Sequence, residues 1–134
     1  MSPAPGSADP CILVVEDNPA NMMLVRALLA RLSCRLVEAT SGAQALAEVE
    51  TQPPDLILMD LQLPDIDGLS LTRQLKEAEG TRHIPIIALT AHAMAGDEET
   101  ARAAGCDGYL TKPLDTRSFC PYVERYLINA GGGE

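Results

Sequence analysis

The chain has 134 residues, 46% apolar and 22% charged, which suits one folded domain and speaks against both wholesale disorder and a second independent core. Nineteen acidic residues against ten basic ones give a net charge of −9, so phosphate backbones and anionic lipid are repelled, and binding to nucleic acid or a membrane surface is disfavoured. No apolar run nears the ~18 residues that cross a bilayer, the start lacks the pattern of a secretory signal, and the expected setting is the cytoplasm.

Residues 1–10 are expected to be disordered, 11–129 to fold as one domain, and 130–134 to form a flexible tail. Cys11–Val15 (CILVV) is a short β-branched run that suits a strand covered on both faces. Asn18-Pro19 then supplies a cap and a first-turn proline, and Val25, Leu28, Leu29 and Leu32 form one helical stripe. Arg35–Ala39 reads as a weaker strand. Ser41 caps a helix with Ala43, Leu46 and Ala47 on one face, and Pro53-Pro54 stops it.

Asp55–Met59 is the third strand, with Asp60 at its carboxyl end. Asp67 caps a helix to about Ala78 that buries Leu71 and Leu75. Ile84–Leu89 is the fourth strand, ended by Thr90. Asp97–Ala104 is a short helix whose apolar face holds only alanines (Ala101, Ala103 and Ala104), closed by Gly105. Gly108–Thr111 is the fifth strand and leads to Lys112-Pro113. The last helix runs to about Asn129 with Phe119, Val123, Tyr126 and Leu127 inward. Pro121 would be tolerated there if Ser118 is the cap, which puts the proline in the first turn. Only 22 residues follow Lys112, so no output domain is expected after it.

Five strands alternating with five helices call for a doubly wound parallel sheet with helices on both faces. Ligands of such sheets bind outside the carboxyl ends of the strands. Those ends carry Glu16 and Asp17, Asp60, Thr90 and Lys112. Three carboxylates close together repel one another unless protons or a cation intervene, and hard oxygen donors suit Mg²⁺, or Mn²⁺ in its place. One lysine and one threonine add donors for a phosphoryl group, and one carboxylate is left as nucleophile. Asp60, on the central strand of the three, is the best placed. Taken singly, each residue is an ordinary cap, turn or surface charge; it is their convergence on one edge that points to a site.

Other polar groups read more plainly. Asp65 and Asp67 faintly suggest a calcium loop whose other positions are missing, so capping is preferred. His83 and His92 make no metal pair, although His92 could tune water access. Cys11, Cys34, Cys106 and Cys120 show neither a disulfide framework nor a C-x-x-C spacing.

The motifs ILVVEDN (12–18), DLILMDLQLPDIDG (55–68), PIIALTAHAM (85–94) and GYLTKPL (108–114) together resemble the receiver domain of bacterial two-component response regulators, over about Cys11 to Leu127. Asp17, Asp60, Thr90 and Lys112 follow one another at intervals of 43, 30 and 22 residues, close to that family's spacing. The resemblance implies a flavodoxin-like fold with strand order 2-1-3-4-5. It implies that Asp60 accepts a phosphoryl group from the phosphohistidine of a histidine kinase or phosphotransfer protein. Asp17, Asp60 and the Gln62 backbone carbonyl would bind Mg²⁺, with Glu16 acting through water. Thr90 and Lys112 would contact the phosphoryl oxygens, and Lys112-Pro113 would be cis. Thr90 and Tyr109 would act as the switch, Tyr109 turning from exposed to buried, and report to a downstream protein target through a face made by the fourth helix, fifth strand and fifth helix.

Within the family, the sequence looks like both the stand-alone DivK-like regulators and the receivers of hybrid histidine kinases. The short chain with its own Met1 favours the former. A true enzyme, a Mg²⁺-dependent aspartyl-phosphate phosphotransferase acting on a small molecule, is the rival from another class. Its usual D-x-D-x-T after the first strand is missing, and the expectation is a phosphoacceptor signalling module rather than an enzyme. A degenerate receiver used as a scaffold is weakened by the presence of the key site residues.

Overall fold

A computed structural model describes residues 9–91 and 94–131. The expectations for the first eight residues, for His92 and for residues 132–134 lie outside the described residues. The chain alternates strand and helix throughout: β1 (Cys11–Val15), α1 (Pro19–Leu29), β2 (Arg35–Ala39), α2 (Gly42–Thr51), β3 (Leu56–Asp60), α3 (Gly68–Glu77), β4 (Ile86–Thr90), α4 (Asp97–Ala104), β5 (Gly108–Thr111) and α5 (Phe119–Gly131). All strand pairings are parallel, in the order β2-β1-β3-β4-β5.

The period-two alternation of strand side chains divides the core into two layers. Leu13, Val15, Ile57, Met59, Ile86 and Ala88 pack with α2, α3 and α4 through Ala45, Val49, Leu71, Leu75 and Ala101. Ile12, Val14, Leu56, Leu58, Ile87 and Leu89 pack with α1 and α5 through Met22, Val25, Leu28, Leu29, Phe119 and Val123. Every residue of β1, β3 and β4 is buried. That explains their near-continuous apolar sequences, since each large side chain so placed contributes roughly 1.5–3 kcal/mol.

The structure shifts several expected details. β3 starts and ends one residue later than expected, and β4 starts two residues later and ends one later, so Asp60 and Thr90 are the last residues of their strands. α2 buries Gly42, Ala45 and Val49 rather than Ala43 and Ala47, which are exposed; Leu46 is half-buried. Val49 is the larger payload, and turning it inward decides which way the helix rotates. In α4 only Ala101 and Ala104 are buried, and Ala103 faces out. α5 starts at Phe119, so Pro121 sits in its first turn, where no helical N–H is lost. The Ser118 carbonyl accepts the Tyr122 N–H there.

Candidate functional site

The alternation that builds the two layers also sorts the polar residues at the carboxyl edge. Asp60 follows Leu56 and Leu58 toward the α1–α5 side, whereas Thr90 follows Ile86 and Ala88 toward α4. Tyr109 of β5 packs on the α4 side as well. Glu16 and Lys112, just past β1 and β5, converge on Asp60. Charge therefore gathers on one side of the edge, and a hydroxyl pair on the other.

On the charged side, Glu16 is 1% and Asp60 2% exposed. The Lys112 Nζ lies 2.7 Å from Glu16 Oε1 and 3.5 Å from Asp60 Oδ2. It is close enough to neutralise one carboxylate and shared too unevenly to neutralise both. The β1–α1 turn fixes the other Glu16 oxygen: Oε2 accepts the Asn18 N–H at 3.1 Å. Asn18 in turn caps α1, its Oδ1 accepting from the Ala20 and Asn21 N–H groups at 2.9 and 3.1 Å. Asp17 stays exposed at the mouth.

Burial pushes the Asp60 carboxyl up from 3.8 to about 6. The Gln62 N–H, donated to Oδ1 at 2.9 Å, opposes that rise; the Glu16 carboxyl adds to it, and Lys112 works against it. Glu16, Asp17 and Asp60 each offer an oxygen within 4.8 Å of the others. Three carboxylates facing one ammonium make an anionic, all-oxygen donor set with one exposed member, which fits a hard divalent ion that keeps some of its water.

On the hydroxyl side, Thr90 is 1% exposed, and its Oγ1 accepts from the Gln62 Nε2 at 3.1 Å. Gln62 thus spans the edge, its backbone N–H on Asp60 and its carboxamide on Thr90. A cavity of about 170 Å³ lies behind it, lined in part by Gln62, Thr90, Asp97, Thr100 and Tyr109. Tyr109 is half-buried, and its hydroxyl is buried with no hydrogen-bond partner among the described residues. The expectation that this ring starts exposed is corrected: it already faces inward here. Its backbone N–H donates to the Tyr122 hydroxyl at 3.0 Å, which ties β5 to α5.

Glu16, Asp17, Asp60, Gln62, Thr90 and Lys112 fall on this edge, Tyr109 lies within β5 and lines the cavity behind it, and the Lys112-Pro113 bond is cis. The carboxamide of Gln62 was missed, because sequence reasoning assigned only its backbone carbonyl. Its role depends on the loop after β3 turning back, and no periodicity signals that. Asp65 is a capping residue, as expected, but of a helix that the sequence does not indicate. It caps α2 through the Gly42 and Ala43 N–H groups, a contact over more than twenty residues that no local pattern announces.

Residues 12–124 match the response regulator receiver domain family. The chain is 44% identical over 119 residues to the polar-differentiation response regulator DivK of Brucella ovis, covering 89% of this chain and 97% of that protein. Among solved structures, the receiver domain of the sensor histidine kinase PA1611 from Pseudomonas aeruginosa, with magnesium coordinated in its active-site cleft, aligns at a TM-score of 0.81. It is 42% identical, over 90% of this chain and 98% of that one. The manganese-bound response regulator Rcp1 aligns at 0.75 with 27% identity, over 89% and 92%. The chain belongs to the receiver domain family of response regulators, which are signalling modules of two-component systems.

Proposed function

We propose, for this member of the receiver family, a DivK-like regulator that takes a phosphoryl group onto the Asp60 carboxylate and then presents an altered face to a protein target. The donor would be the phosphohistidine of a sensor kinase or of a histidine phosphotransfer protein. The observation that carries this reading is the buried Asp60 at the carboxyl edge with Lys112 Nζ at 3.5 Å and Gln62 linking it to Thr90. The likeness to DivK over nearly that regulator's whole length supports a regulator of that type.

The residues divide the work. The Asp60 carboxylate attacks phosphorus, while the Lys112 ammonium offsets negative charge on the transferred oxygens. The Gln62 N–H holds Asp60 in one rotamer. Thr90 donates its hydroxyl to a phosphoryl oxygen, and its movement reaches Tyr109 through the cavity they share. Glu16, Asp17, Asp60 and the Gln62 carbonyl would hold Mg²⁺, or Mn²⁺ in its place. The bound ion supplies positive charge beside the phosphoryl oxygens.

On this reading the only chemistry is on the chain itself, and the exposed outlet is the α4–β5–α5 face. A cytoplasmic setting belongs to the proposal: four free cysteines, two of them buried, suit a reducing compartment, and none of the described helices is long and apolar enough to cross a membrane.

Incubation with acetyl phosphate and Mg²⁺ tests the reading. One phosphoryl group per chain should be retained, and Asp60→Asn, nearly the same shape without the anionic nucleophile, should retain none while keeping the fold. Sustained hydrolysis of a small phosphate ester with no retained label would support the enzyme reading instead. Label mapped to Asp65 or Asp67 would also overturn the assignment.

A further inference from the structure

The loop between β3 and α3 carries two aspartates that the proposed chemistry does not use. Asp67 serves its own helix, its Oδ1 accepting the Leu69 N–H at 3.1 Å. Asp65 reaches to a different one: Oδ1 accepts the Gly42 N–H at 2.8 Å and Oδ2 the Ala43 N–H at 3.0 Å. Those two bonds hold its carboxyl below the usual range, so it stays anionic at neutral pH. Yet α2 already has a cap, since Ser41 Oγ accepts the Gln44 N–H at 3.1 Å. One helix end is therefore served twice, once locally and once by a distant loop.

The packing around this contact shows that the loop is held, not merely touching. A Cβ on Gly42 would fall 2.1 Å from Ile66 Cγ2, so only glycine lets the loop come this near α2. At the loop base, a Cβ on Gly68 would lie 2.6 Å from the Asp60 carbonyl oxygen. The Gly68 N–H donates to the Leu61 carbonyl at 3.2 Å, and Gln62 bridges Asp67. Residues 61–67 form a closed hoop with its base on Asp60 and its tip moored to α2.

We propose that Asp65 is a positioning residue: its mooring to α2 sets the hoop so that the Gln62 N–H meets Asp60 Oδ1 and the Gln62 carboxamide meets Thr90. The kinetic consequence rests on the phosphoacceptor reading of Asp60; the geometric one does not. An ordinary helix cap would stabilise α2 and leave Gln62 where it is.

The control is Ser41→Ala, which removes a cap from the same helix end without touching the loop. Asp65→Ala and Ser41→Ala are compared by amide hydrogen exchange, by the amide resonances of residues 60–62, and by the rate of labelling from acetyl phosphate. Asp65→Asn is the milder variant should Asp65→Ala not fold: an amide can accept one of the two N–H groups but sets its own NH₂ against the other. Expected is Gln62 exchange about tenfold faster in the Asp65 variant than in Ser41→Ala, with shifted resonances at 60–62 and labelling slowed several-fold. Equal Gln62 exchange and resonances in the two variants would overturn the proposal, whatever the labelling does. If the unaltered chain takes no label, the phosphoacceptor reading fails, and the exchange comparison still decides the mooring.

Discussion

The two sides of the carboxyl edge are built to different standards. The charged side stands on β1 and β3, whose residues are all buried, between layers of leucine, isoleucine and valine. The hydroxyl side leans on β5, a four-residue edge strand buried only at Gly108, and on α4, an eight-residue helix that buries two alanines. Glu16 and Asp60 thus sit at the ends of fully buried strands, with Lys112 reaching them from just past β5, whereas Thr90, at the end of buried β4, and Tyr109 of β5 face the lightly buried α4. Gln62 joins the two. A site divided in this way can keep its chemical geometry while its neighbourhood moves, which a population-shift mechanism requires.

Truncating the rigid side should have the largest effect on stability. Leu58→Ala empties a fully buried position between β1 and β4 and should cost about 3–4 kcal/mol in denaturant unfolding. A loss under about 1 kcal/mol would mean that the charged side is no better anchored than the other.

Next comes the stored charge. Unfolded Asp60 gives up its proton near 3.8 and the folded residue near 6. Between those values the folded state carries the extra proton, so metal-free stability falls as pH rises through the window, and the penalty is complete above it. Asp60→Asn removes a cost of about 3 kcal/mol at pH 7 and almost none at pH 4. Urea unfolding of both proteins across that range checks the slope; parallel curves would show that burial does not strain Asp60.

How much of this could be read from the sequence follows the same division. CILVV and LILM announce buried strands because both faces demand apolar residues, and the polar residue that ends each run marks the edge. Glu16, Asp17, Asp60, Thr90 and Lys112 were legible for that reason. The face of α2 is not legible in the same way, because its alanines are near-equal candidates and the choice falls to Val49, whose burial depends on the sheet that α2 packs against. The inward Tyr109, the Gln62 carboxamide and the Asp65 mooring were illegible. Each depends on where a loop or edge strand sits in three dimensions.

A divalent ion should partly erase the strain on the rigid side. Because it would bind only the folded state, Mg²⁺ at ten times its dissociation constant should add about 1.4 kcal/mol, a rise in Tm of about 5 °C. Asp17→Asn, which removes the exposed member of the trio, should abolish most of that rise in a thermal titration. An undiminished rise would place the ion elsewhere.

The smallest expected effect lies on the loose side, and it tests the comparison most directly. α4 has no side-chain cap at Gly96, and it closes on Gly105, whose φ of 115° suits glycine. Its acidic first turn (Asp97, Glu98 and Glu99) complements the helix dipole but buries little. The helix should therefore open locally, and the amides near its end should exchange at a free energy well below that of β1 and β3. Ala103→Gly, on the exposed face of the helix, costs about 1 kcal/mol of helix stability. If that cost falls on a local opening, exchange at residues 101–105 should quicken about fivefold while β1 and β3 amides and the global Tm barely change. The opposite pattern, with all protected amides quickening together, would show that α4 opens only with the whole domain. The difference between the two sides would then be one of burial alone, and Thr90 and Tyr109 would need another element to carry their movement outward.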